Sequence, residues 1–132
     1  MRAHMRIARP VSSLERSVAM YCAGLGLREL GRFADHQGFD GVMLGHAKLT
    51  YHFEFTCCRQ HPVQPTPTAE DLIVFYVPDL AEWQDVCASM LQAGFVEGTP
   101  YNPYWAERGR SFQDHDGYRV VIERAAWESR ER

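Results

Sequence analysis

The segment Tyr51-His-Phe-Glu-Phe-Thr56 carries the most suggestive spacing in this 132-residue chain. Successive side chains of an extended strand point to opposite faces. Tyr51, Phe53 and Phe55 then make an aromatic face suited to packing on a helix, and His52 and Glu54 share the other face. An imidazole and a carboxylate side by side can pass protons to a bound molecule or offer two donors to a metal. A second segment, Pro100-Tyr-Asn-Pro-Tyr-Trp105, crowds Tyr101, Tyr104 and Trp105 around two prolines. That composition suits an aromatic wall or lid over a planar or apolar ligand, and equally a plug closing a sheet or a dimer contact. Arg108 and Arg110 follow it and read either as a source of charge or as solvated side chains. His36, His46 and His115 fall in turns and read as surface residues, and His61 falls in a linker. Asp35 and Asp40 flank a glycine turn and read as turn formers. No Gly-x-Ser-x-Gly elbow and no P-loop occur, and Gly24-x-Gly26 follows a helix rather than a strand, so it is not a dinucleotide fingerprint.

These residues need elements to hold them, and the chain supplies one pattern twice. A strand from Met5 to Val11 leads into a helix opened by Ser12 and Glu15, a capping-box spacing. Leu14, Val18, Tyr21, Cys22 and Leu25 form its apolar face, and Gly24 or Gly26 stops it. Three strands follow, about Leu27–Phe33, Phe39–Leu44 and Leu49–Cys57. Near Asp71 the pattern restarts. Strand Leu72–Val77 precedes a helix capped by Asp79 with Glu82 three residues on. Leu80, Trp83, Val86, Cys87, Met90 and Leu91 form its apolar face, and Gly94 ends it. Strands Phe95–Glu97, Gly109–Asp114 and Tyr118–Arg124 complete the copy. The two helix entries, at Leu14 and Leu80, lie 66 residues apart. Arg59 to Thr68, with three prolines, is a stiff extended connection. The expected layout is a single domain over 1–132: modules 5–57 and 71–124, a linker 58–70 and a tail 125–132.

Composition narrows the function classes. A net charge of −3 and a pI near 6.0 argue against a general nucleic-acid or anionic-membrane binder. No apolar run is long enough to span a bilayer, and Met1-Arg-Ala-His-Met-Arg6 has no signal-peptide core. Cys22, Cys57, Cys58 and Cys87 form no C-x-x-C pair, and adjacent Cys57 and Cys58 are poorly placed to bridge. The expectation is four reduced thiols in a cytoplasmic protein.

The repeated pattern resembles the vicinal oxygen chelate superfamily of glyoxalase I, bleomycin-resistance proteins, fosfomycin-resistance enzymes and extradiol dioxygenases. The residues carrying the match are Pro10-Val-Ser-Ser-Leu-Glu-Arg-Ser17 running into Tyr21-Cys-Ala-Gly-Leu-Gly-Leu27. Val77-Pro-Asp-Leu80, Ala93-Gly-Phe95 and Gly109-Arg-Ser-Phe-Gln-Asp-His-Asp-Gly-Tyr118 add the second half. His115 stands where the family usually has proline. The resemblance implies an α+β fold, with two βαβββ modules forming a cup-shaped mixed eight-stranded sheet and helices on the outside. It also implies a homodimer and a divalent metal held by the first and last strands of each module. Three of the four corresponding positions hold Arg6, Leu72 and Val121, none of which donates a lone pair. The fourth, Glu54, is a possible ligand.

With one donor of four, the usual metal site is not expected, although a divalent metal in another arrangement stays open. His52 and Glu54 would then bind it, with Glu123 or His4 as a third ligand. Two other readings place Arg6 in a hydrogen-bonded floor with Glu54 or Glu123, or against an anionic ligand. The expected function is binding of a small organic molecule in the inter-module cleft without the family's metal. Arg6, Tyr76, Tyr101, Tyr104, Trp105 and Glu123 are the candidate ligand-binding residues. The alternative is an enzyme of glyoxalase type, a lyase, isomerase or dioxygenase, using His52 and Glu54 in a rearranged metal or acid–base site. A third reading is a non-catalytic interaction module.

Overall fold

The structure is a computed structural model and describes residues 1–129; the last residues of the expected tail, 130–132, lie outside it. The chain divides into two compact units, Met1–Thr66 and Pro67–Arg132, each a βαβββ module. In the first unit, β1 (Met5–Pro10) leads into α1 (Leu14–Leu25), followed by β2 (Arg28–His36), β3 (Phe39–Gly45) and β4 (Tyr51–Cys58). The strand order is β1-β4-β3-β2, with β1 parallel to β4 and the other pairings antiparallel. The second unit repeats this with β5 (Leu72–Tyr76), α2 (Leu80–Gln92), β6 (Val96–Gly98), β7 (Gly109–Gln113) and β8 (Arg119–Glu123), in the order β5-β8-β7-β6. A short helix, α3 (Tyr104–Glu107), precedes β7. The eight strands thus fall into two four-stranded mixed sheets.

The two long helices, α1 and α2, form where the sequence places them. The first cap is displaced by one residue. Ser13, not Ser12, is the N-cap of α1, and its hydroxyl accepts the Arg16 amide at 3.2 Å. The third helical residue is therefore Arg16, so the reciprocal carboxylate of a capping box is missing, and Glu15 pairs with Arg32 at 2.9 Å instead. Gly26, at φ 68°, supplies the left-handed stop. Asp79 caps α2 as expected, accepting the Glu82 amide at 2.9 Å.

Burial alternates along the middle of β4, whereas Val120, Val121, Ile122 and Glu123 of β8 are all buried. Phe53 and Phe55 are fully buried and enclose Tyr21 of α1, with ring centroids 5.6 and 4.9 Å from it. Each such ring contributes roughly 1.5–3 kcal/mol on burial. The buried face of α1 runs through Ser17, Met20, Tyr21 and Gly24, whose small members let the helix lie close to the sheet. In the second unit Cys87 and Met90 of α2 are buried, as are Phe112, Val120 and Ile122, and the Trp83 indole donates to the Ile122 carbonyl at 2.9 Å. Leu80 and Leu91, expected on the apolar face, are exposed near the two ends of α2. His115 is a further correction: its side chain is only 3% exposed and its Nδ1 lies 3.5 Å from Asp116. The turn carrying it is not free surface, because Pro67 of the linker runs against Gly117. All four cysteines are free thiols. Among the described residues no helix is long and apolar enough to cross a membrane.

Candidate functional site

The helix-free face of the first sheet carries a closed chain of polar contacts. The parallel register sets Arg6 beside His52 and Ala8 beside Glu54. Arg6 therefore reaches both neighbours on its face. Its Nε donates to His52 Nε2 at 2.9 Å, and its Nη1 donates to Glu54 Oε2 at 2.9 Å. Arginine has only donors, so Nε2 of His52 must be the acceptor and the proton of the neutral ring sits on Nδ1. That proton points to His4 Nε2, 2.6 Å away. Burial holds the His52 imidazole below its ordinary pKa, and Arg6, and His4 when it is protonated, push the same way against Glu54. The lone pair that would make His52 a base is already occupied by Arg6. Arg6 and Glu54 thus form an ion pair within the first module.

The superfamily's metal does not fit these residues. Of the four positions, the Arg6 guanidinium donates to Glu54, and Leu72 and Val121 offer no lone pair. Among the described residues no group of three or more His, Cys, Asp or Glu side chains has an arrangement able to hold a metal.

The second sheet presents a different face. The register aligns Tyr76 of β5, Glu123 of β8 and Gly109 of β7 in one row. Above this row lies a pocket of about 500 Å³, lined by Tyr76, Tyr104, Glu107, Arg108, Glu123 and the chain from Ala125 to Ser129. This volume is in the range of small-molecule sites. The Trp127 ring sits 5.9 Å from that of Tyr76. Glu123 is 4% exposed, and its Oε1 is sealed from solvent without a hydrogen-bond partner among the described residues. Burial pushes its carboxyl pKa up; Arg108 pulls the other way and Glu107 adds to the rise. Gly109 makes this arrangement possible. A Cβ there would lie 2.6 Å from the Trp105 carbonyl oxygen and 2.9 Å from Glu123 Oε1.

The expected site residues therefore fall into two groups. Arg6, His52 and Glu54 meet on the first sheet, and Tyr76, Tyr104 and Glu123 meet on the second. Tyr101, 67% exposed, does not line the pocket. Trp105 turns its ring edge-on to Tyr104 at 4.9 Å and does not line the pocket; its carbonyl oxygen lies close against Gly109. The Pro100–Trp105 segment holds α3, with the Asn102 side chain accepting the Tyr104 amide at 3.0 Å; four residues are too few to display a helical period. Arg110 belongs elsewhere: it forms a two-armed pair with Glu97 at 2.6 and 2.7 Å and lies over the Trp83 and Phe112 rings. Sequence reasoning missed Trp127. A lone tryptophan in an otherwise polar tail was the available signal.

The comparisons with known proteins agree with this architecture. Residues 5–56 match the YycE-like N-terminal domain and residues 70–124 the YycE-like C-terminal domain. The chain is 39% identical over 120 residues to the protein YycE of Bacillus subtilis, covering 91% of this chain and 86% of that one. It is similar to the crystal structure of a YycE protein from Bacillus subtilis, with a TM-score of 0.90, 36% identity and coverage of 98% and 95%. Two more distant structures share the fold. Leishmania major glyoxalase I, described as trypanothione-dependent, gives a TM-score of 0.70 at 20% identity, covering 93% of this chain and 86% of that one. TnmS3 of Streptomyces sp. CB03234, described as an antibiotic binding protein, gives 0.63 at 16% identity, covering 96% and 97%. Two domain matches spanning both modules and a full-length relative lead to one statement: the chain belongs to the YycE-like family, within the glyoxalase, bleomycin-resistance and fosfomycin-resistance superfamily of the vicinal oxygen chelate fold.

Proposed function

We propose that this protein binds a small organic molecule on the second module and does so without the superfamily's metal. The observation that carries this reading is the pocket of about 500 Å³ over the Tyr76–Glu123–Gly109 row, walled by Tyr76, Tyr104 and Trp127. Three aromatic rings stand there among a lining that is mostly polar, with Glu107, Arg108, Glu123 and Glu128, so both ring faces and charge are available to a ligand. The fold does not decide between binding and catalysis, since an enzyme and an antibiotic-binding protein both share it. The donor set favours metal-free binding, because two of the four positions are Leu72 and Val121.

A thermal-shift screen of small aromatic compounds tests the reading. A ligand present at 100 times its dissociation constant should stabilise the fold by about 2.7 kcal/mol. Joint replacement of Tyr104 and Trp127 by alanine should remove the response, and a chelator should leave it unchanged. A response that survives loss of both rings, or that a chelator abolishes, contradicts the proposal.

The catalytic alternative, glyoxalase-type chemistry through His52 and Glu54, has less support. Arg6 occupies the His52 acceptor nitrogen and one oxygen of Glu54. A turnover lost specifically in Glu54→Gln, with folding intact, would bring that alternative forward.

A further inference from the structure

Glu123 is the side chain that neither the fold nor the superfamily's chemistry explains. Carboxylates are seldom fully buried unless something pairs with them. This one is nine-tenths buried or more, lines the pocket, and keeps one oxygen, Oε1, sealed from solvent and without a hydrogen-bond partner among the described residues. It does not stand at the superfamily's metal position, which Val121 fills two residues earlier. Its nearest basic neighbour in the lining, Arg108, acts on it electrostatically but forms no ion pair with it among the described residues.

The surroundings point to one ligand chemistry. Three carboxylates, Glu107, Glu123 and Glu128, face a single Arg108 in the described lining, so the pocket is negative. Tyr104 and Trp127, both largely exposed, leave ring faces open beside that charge. Ring faces and carboxylates attract the same partner, a cation. We infer that the occupant of this pocket carries a protonated nitrogen, of the ammonium or amidinium class, which Glu123 holds by a charge-assisted hydrogen bond while the aromatic rings flank it. This rests on the reading that the pocket takes a small molecule. It adds which molecules qualify. The carboxyl torsion is broad and two-fold, so either oxygen of Glu123 can be presented to the incoming donor. The bond would form at the oxygen turned to the pocket and give the carboxylate a charged partner, while the oxygen against Gly109 stays sealed.

Matched probes separate this inference from the broader reading. Benzamidine and benzylamine are titrated into the full chain by calorimetry at pH 7.5, against benzamide and benzyl alcohol, which have similar shapes and no charge. The two cations should bind at least about ten-fold more tightly than the neutral pair, and Glu123→Gln should erase that gap. Tyr104→Ala should weaken the cations more than the neutral compounds. Arg108→Gln, which removes the like charge, should tighten the cations several-fold and leave the neutral compounds unchanged. Neutral probes binding as well as cations, or a preference that persists in Glu123→Gln, overturns the inference and leaves the pocket reading standing. Weaker cation binding in Arg108→Gln overturns it as well, and keeps it falsifiable should Glu123→Gln fail to fold. Absence of binding by all four probes at millimolar concentration overturns both readings.

Discussion

The two modules share a backbone plan and treat charge in opposite ways. With the helix entries aligned, Arg6 and Glu54 of the first module correspond to Leu72 and Val121 of the second. The first module therefore holds a basic and an acidic group that neutralise each other, with His52 and His4 completing the chain of hydrogen bonds. The second places an apolar pair in that position. Its carboxylate, Glu123, comes two residues further along β8, where the first module has Thr56. Arg6 reaches Glu54 diagonally across the β1–β4 ladder. The residue on the matching diagonal from Glu123 is Val74, which cannot pair. A polar cluster that satisfies itself has little left to offer a ligand, whereas a buried charge without a partner has most to gain from one.

The comparison breaks most visibly at Gly109. Gly109→Ala should destabilise the second module by about 2 kcal/mol, because the added methyl meets a backbone carbonyl and the Glu123 oxygen at once. Urea denaturation should read this as a lower midpoint, together with loss of ligand response. An unchanged midpoint would mean that α3 and Glu123 do not press on Gly109.

Next in size is Arg6→Leu, which gives the first module the second module's residue. Glu54, with its side chain 15% exposed, then loses its partner. The cost should be about 1 kcal/mol, held down by solvent screening around the half-exposed arginine. Removing Arg6 also removes one of the causes holding the His52 pKa down, so that pKa should rise in an NMR titration. A His52 titration that does not move would contradict the contact.

Glu123→Gln should act with the opposite sign. The folded pKa of Glu123 lies above its ordinary 4.5, so the folded state holds that proton more tightly than the unfolded chain does. This group's contribution is complete below about pH 4.5 and declines as pH rises through the raised value. Glutamine cannot ionise and escapes that decline. The variant should be more stable than the parent by up to about 1 kcal/mol at pH 7.5, with the advantage vanishing toward pH 4. Equal melting temperatures across that range would show that Glu123 is not strained in the free protein. The smallest stability change, within about 0.5 kcal/mol, is expected of Val74→Arg, which supplies the missing diagonal partner at a half-buried position. Its effect should appear in binding, as a loss of affinity for cationic probes.

Much of this was legible in the sequence, for reasons that can be named. Alternation along a strand is fixed by backbone geometry, so Phe53 and Phe55 had to face α1 once His52 and Glu54 faced away. The missing metal donors were equally readable, because Leu72 and Val121 have no lone pairs in any conformation. Choices among chemically similar neighbours were not readable. Ser12 and Ser13 are both competent caps, and the helix settles on the second. The strand pattern also could not say that Arg6 would reach Glu54, because strand pairing is not written in alternation; the parallel register of β1 on β4 brings the two together. Proximity in sequence groups Tyr101 and Trp105 with Tyr104, but Tyr101 lies before α3 and neither it nor Trp105 lines the pocket. Trp127 was passed over because the tail has no periodicity to place it.

The central claim is that Glu123 is a buried charge awaiting a cation, and its own titration tests this most directly. The groups around it are Tyr76 from β5, Tyr104 and Glu107 from α3, Arg108 before β7, and Glu128 in the tail. Carbon-13 NMR of its side-chain carboxyl, assigned by comparison with Glu123→Gln, reports the midpoint with and without benzamidine. The account predicts a midpoint above the ordinary carboxylate value in the free protein, and a drop when benzamidine, but not benzamide, is added. A midpoint at the ordinary value that neither compound moves would contradict it.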